Sequence, residues 1–106
     1  MAVVQRGAFY AVLKKAEERY GEVIFVDSYF LYRKDASAPY ENRLAFVVKA
    51  LGEFIPFYLN DILVNDRGEI VIEDSIEVSE GGKYSASNSI INNFLNDYEV
   101  RKLKAK

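Results

Sequence analysis

The sequence predicts an α+β fold: an antiparallel sheet of about four strands flanked by an N-terminal and a C-terminal helix. Three observations point there. Residues 5–20 carry apolar side chains at helical spacing and run into Gly21. Residues 22–78 hold several runs rich in β-branched and aromatic residues, separated by turn-forming residues. A second amphipathic segment follows near the C-terminus. Strands grouped between two helices, rather than alternating with them, argue for an antiparallel meander and against a βαβ nucleotide-binding architecture. At 106 residues the chain has room for one domain.

In the first helix, Phe9, Val12, Leu13, Ala16 and Tyr20 share one face, and Lys14, Lys15, Glu17 and Glu18 take the other. Gly21 tolerates the left-handed conformation common just past a helix end. The apolar face is expected to pack on the sheet. A membrane-lying helix would carry a more basic polar face.

Residues 22–34, EVIFVDSYFLYRK, read as a strand with two apolar faces. Ile24, Val26, Ser28, Phe30 and Tyr32 point one way, and Val23, Phe25, Asp27, Tyr29 and Leu31 the other. Such a strand is central and covered twice, or shows one face to a partner chain. Asp27 interrupts it, and is expected as a solvated or hydrogen-bonded carboxylate beside a bulge rather than a catalytic one. Asp35–Pro39 then reads as a loop.

The longest apolar segment, Arg43–Val64, is too interrupted to span a bilayer. Its first part fits two periods. Leu44, Val47, Val48 and Leu51 suit a helix, while Leu44, Phe46, Val48 and Ala50 suit a strand. The Phe-Val-Val run favours the strand, with Leu51–Gly52–Glu53 turning into a second one. Pro56 cannot donate to a ladder, so that second strand is expected to be an edge there, to bulge, or to start late. Asn65–Gly68 reads as a hairpin turn, followed by a strand with Ile70, Ile72, Ile76 and Val78 inward and acids outward. The last helix is expected from about Ser87 to Val100, capped by Ser85 or Ser87, with Ile91, Phe94, Leu95 and Tyr98 as its stripe. Residues 101–106, RKLKAK, read as a mobile basic tail.

Composition excludes several chemistries. The chain has neither cysteine nor histidine, which removes disulfides, thiolate or imidazole metal sites, and the commonest nucleophile and general base. Gly81–Gly82–Lys83 lacks the spacing of a phosphate loop. Asp61, Asp66, Glu69, Glu73 and Asp74 offer oxygen ligands for a hard cation. The lysine expected two residues after Glu73 in a metal-dependent nuclease is missing. No catalytic residue, metal ligand or cofactor is therefore assigned. The start of the chain has no long apolar run behind a basic one, so no signal peptide is read and an intracellular, cytoplasmic protein is expected.

Eight tyrosines and seven phenylalanines, on a chain of net charge −2, suit a protein interface core. The expected function is a small, soluble, non-catalytic interaction or assembly protein that self-associates as a homodimer. Its interface candidates are Tyr29, Leu31, Phe57 and Tyr58. The first alternative is nucleic-acid binding through Lys14, Lys15, Arg19, Arg33, Lys34, Arg101, Lys102 and Lys104. Against it, seven acids and one arginine lie between Asp61 and Glu80. A Mg²⁺-dependent hydrolase is the weaker alternative.

Overall fold

A computed structural model describes residues 3–4, 6–33, 42–60, 63–64, 67, 70–71, 77–102 and 104–105. In chain order its elements are β1 (Val3–Val4), α1 (Arg6–Tyr20), β2 (Ile24–Arg33), β3 (Arg43–Ala50), β4 (Glu53–Leu59), β5 (Leu63–Val64), β6 (Ile70–Val71), β7 (Val78–Glu80), α2 (Ser87–Asp97), β8 (Tyr98–Lys102) and β9 (Lys104–Ala105). The main sheet has five strands in the order β7-β4-β3-β2-β8, antiparallel throughout. The fold is α+β, with the two helices flanking the sheet.

Each helix covers one face. Val12 and Ala16 of α1 pack on Phe30, Leu44, Phe46, Val48, Ile55, Phe57 and Leu59. Ile90 and Phe94 of α2 pack on Leu31, Ala45 and Val47. Burial on both faces explains why residues 44–48 read as one unbroken apolar run fitting two periods. That segment is strand β3, and the hairpin to β4 turns on Leu51 and Gly52 with φ of 53° and 78°. Ala50 opposes Glu53, so the loop has two residues, both left-handed, as in a type I′ turn.

Pro56 falls where β4 is interrupted on its outer side. Phe57–Leu59 pair with β7, Phe54 bridges to Tyr84, and between them the Pro56 carbonyl accepts the Gly81 N–H at 2.8 Å. A Cβ on Gly81 would stand 2.8 Å from both Pro56 Cγ and Tyr58 Cε2, so only glycine allows this approach.

Helix α1 ends as expected, with Gly21 at φ 75° donating its N–H to the Glu17 carbonyl. Other expectations need correction. On β2, Phe25 opposes Val48 and Asp27 opposes Val47, making Val26 the extra residue of a bulge. The bulge shifts the alternation by one. Val23 and Phe25 therefore share the α1 side with Phe30 and Tyr32, while Ile24 and Val26 are exposed.

Helix α2 stops at Asp97, not Val100. Tyr98 is already extended, and its N–H closes the helix on the Phe94 carbonyl. The N-cap is Ala86, without a side-chain cap bond, in place of either serine. The stretch expected to be the helix end and the start of a mobile tail contains β8, paired with β2 from Tyr29↔Lys102 to Arg33↔Tyr98. Beyond it, Lys104 and Ala105 pair in parallel with Val3 and Val4. Strands β5 and β6 form a separate two-stranded ribbon. The expected turn at Asn65, Asp66 and Gly68, the loop at 35–39, and Ile72 and Ile76 lie outside the described residues.

Candidate functional site

Strand β2 is ten residues long, but β8 lies only along Tyr29–Arg33. Among the described residues, Ile24–Ser28 therefore have β3 on one side and no strand on the other. Asp27 marks the boundary. Its Oδ1 accepts the backbone N–H of Ser28 at 3.0 Å, and its Oδ2 pairs with Lys102 Nζ at 3.0 Å. The carboxylate thus satisfies a backbone donor at the step where the ladder to β8 ends, and holds the end of β8 in place. The same hydrogen bond and charge push the Lys102 ammonium pKa up. This is the hydrogen-bonded carboxylate beside a bulge that the sequence suggested.

The open stretch carries Ile24 at 64% and Val26 at 38% exposure. Ile24 lies opposite Lys49 in β3, whose ammonium sits 5.4 Å from the centre of the Phe54 ring. Leu51, 81% exposed, occupies the turn at the same end of the sheet. The other two edges differ. β7 is three residues long, and β8 presents Glu99, Arg101 and Lys102 to solvent. Short length and charge are the usual guards of a sheet edge. The open part of β2 carries two exposed aliphatic side chains, with its one carboxylate, Asp27, engaged by Lys102.

The surface expected to be an interface lies largely inside the chain. Leu31 and Phe57 are both 0% exposed, one in each core. Tyr29 and Tyr58 are half-buried under α2, with ring centres 6.2 Å and 6.0 Å from that of Phe94. The correction has two causes: α2 docks over Tyr29, Leu31 and Tyr58, and α1 covers the face that carries Phe57. The alternation places Ile24 and Val26 on one face with Phe30, because a bulge is invisible to a period-2 pattern. The interruption at Asp27 was the available signal.

The candidate nucleic-acid contacts whose side chains are described do not all share one face. Lys14 is exposed, Lys15 half-buried, and Arg19 pairs with Glu80 at 2.8 Å. Arg101 lies over Tyr32 at 5.0 Å, and Tyr32 belongs to the α1 side. Lys102, next in the strand, points to the opposite face. Arg33 and Lys104 are placed by their backbones in β2 and β9, and Lys34 lies outside the described residues. The acids Asp61, Asp66, Glu69, Glu73 and Asp74 also lie outside them. Among the described residues no three acidic side chains gather as a cation site would need, and no helix is long and apolar enough to cross a membrane.

Two further clusters bear on chemistry. At the end of α1, the Tyr20 hydroxyl donates to Glu80 Oε2 while Arg19 holds Oε1. The bond to Glu80 raises the Tyr20 pKa, so this cluster fastens α1 to β7 and does not yield a reactive phenolate. On the α2 side, the Arg43 guanidinium lies 5.2 Å from the Tyr58 ring centre and 6.0 Å from that of Tyr98. Burial, with a smaller contribution from Tyr84, pushes the Tyr58 phenol up to about 12, against the lowering effect of Arg43.

Comparison with protein-family models, with curated proteins and with solved structures finds no match to this chain.

Proposed function

We propose that this protein is a small, non-catalytic interaction protein that self-associates through the open part of β2. The observation that carries the reading is the five-residue edge Ile24–Ser28, bearing two exposed aliphatic side chains where the sheet's other edges are short or charged. An open edge is a template for another strand, because half of its backbone donors and acceptors face outward. A second copy brings the same edge in antiparallel orientation about a two-fold axis, and each edge then satisfies the other.

The test is sedimentation velocity across the micromolar range on the full chain and on Ile24→Lys and Val26→Lys. Both side chains are exposed, so the substitutions leave the cores intact. The wild type is expected to form a dimer, and each lysine to weaken it about tenfold or more, the equivalent of ~1.4 kcal/mol. A strict monomer at all concentrations removes the proposal, as does a dimer indifferent to both substitutions.

A further inference from the structure

Strand β8 stops at Lys102, opposite Tyr29, although β2 runs on to Ile24. The chain itself does not stop there. Two positions later, Lys104 and Ala105 form β9, which has left β2 and pairs in parallel with Val3 and Val4. Carrying on in the antiparallel register of β8 would place Lys104 opposite Asp27 and Ala105 opposite Val26. The chain therefore changes partner beside an edge that, among the described residues, no other strand takes.

Two features at the point of departure explain the change. The bulge at Val26 bends β2 and breaks the even spacing that a straight continuation of β8 needs. Asp27 also stands in the way. Its Oδ1 takes the Ser28 N–H at 3.0 Å while its Oδ2 holds Lys102 at 3.0 Å, so a strand continuing past Lys102 has to displace the carboxylate to gain that donor.

What holds β9 elsewhere is slight. β1 and β9 share two residue pairs in a ribbon separate from the main sheet. So short a two-stranded ladder, and a parallel one, adds little stability of its own. The ion pair that helps to stop β8 has its lysine side chain 71% exposed, and such pairs are weak. The open edge of β2 is longer than the two residues that β1 offers, and continuous with a ladder already formed.

We infer that β9 exchanges between β1 and the open edge of β2, with Asp27 as the stop that sets the balance. On β2, it extends β8 over the bulge and shuts the edge to a second copy. The chain thus carries its own competitor for self-association. That regulatory role rests on the proposed function; the exchange itself does not.

The chain has no cysteine, so Val26→Cys combined with Ala105→Cys reports the exchange as a disulfide. Residues directly opposite in an antiparallel pair lie about 4.5–5.5 Å apart at Cα, within disulfide reach. Leu51→Cys with Ala105→Cys controls for undirected collisions, because Leu51 is 81% exposed. Mass spectrometry without reductant separates monomeric from intermolecular products. The monomeric 26–105 disulfide is expected to form several-fold faster than the control; a rate equal to the control, or no disulfide, overturns the exchange. Adding Asp27→Ala frees the Ser28 N–H and should raise the rate about fivefold, the effect of a typical single hydrogen bond. An unchanged rate removes Asp27 as the stop, and should that variant not fold, the comparison with the control decides alone. Sedimentation velocity of the 26–105 protein then tests regulation: the oxidised monomer should not self-associate, and the reduced form should. Equal association in both forms overturns the regulatory role. A reduced form and a wild type that both stay monomeric remove the proposed function instead, while the disulfide rate still decides the exchange.

Discussion

Phe30 and Tyr29 are neighbours in sequence and point to opposite faces of β2, which makes them a sensitive check on how the strand is placed. Phe30 is 1% exposed between α1 and the sheet. Truncation to alanine leaves a cavity there and should cost about 3–5 kcal/mol, a large part of a small domain's stability. Tyr29 keeps part of its ring in solvent and meets α2 through an edge contact with Phe94, so Tyr29→Ala should cost clearly less. Urea melts of the two variants settle the order, and a milder loss for Phe30→Ala would mean that the bulge is misplaced. Tyr58 gives a second residue-scale test. Folding raises its pKa from 10.0 to about 12, so the folded chain holds the phenolic proton more tightly than the unfolded one. The associated stability is complete below about pH 10 and is lost as pH climbs toward 12. Urea midpoints measured through that window should fall, and Tyr58→Phe should flatten part of the decline. Tyr20, Tyr29 and Lys102, also shifted upward, add to the decline in the same direction.

At the scale of elements, the β3–β4 hairpin holds an avoidable cost. Leu51 stands at φ 53° with its side chain 81% exposed, so it accepts left-handed strain without packing in return. Asparagine tolerates that conformation. Leu51→Asn should raise stability by about 0.5–1 kcal/mol without altering the register, measured as a higher urea midpoint at unchanged slope. No gain would mean that the turn is not of type I′. Elements were legible where local chemistry marked them: Gly21 stopped α1, and the Phe-Val-Val run marked β3 as a strand. The end of α2 was not legible. Tyr98 lies four residues after Phe94 and so extends the helical stripe, and neither glycine nor proline follows to stop it. What ends α2 is tertiary: Val100 and Tyr98 pack with Leu31 on the α2 side while their backbone pairs with β2. Propensity cannot report a partner some seventy residues away.

For the whole molecule, the class of fold and the central sheet were readable because binary patterning is redundant over many residues. The candidate sites were not. Both depend on where a pattern breaks. The open edge exists because one extra residue at Val26 turns two aliphatic side chains outward, and because β8 ends opposite Tyr29. The Arg43 cluster exists because β4 and β8 bring Tyr58 and Tyr98 from opposite sides of the sheet. Neither is a spacing in the sequence. Both are products of strand order.

That order also has a consequence in time. The meander β2-β3-β4 is built from neighbours in the chain, whereas Tyr29 pairs with Lys102, near the opposite end of it. Closing so long a loop costs more entropy than closing a hairpin, and the pairing brings no reward until it is complete. During synthesis β2 therefore emerges long before the strand that covers it, and its outer edge is open along all ten residues from Ile24 to Arg33. Until β8 arrives, Asp27 has no Lys102 to hold and Leu31 no Val100 beside it. The nascent chain passes through a stage with twice the exposed edge of the folded sheet, and the Asp27–Lys102 pair is the last latch on a sheet that β8 closes.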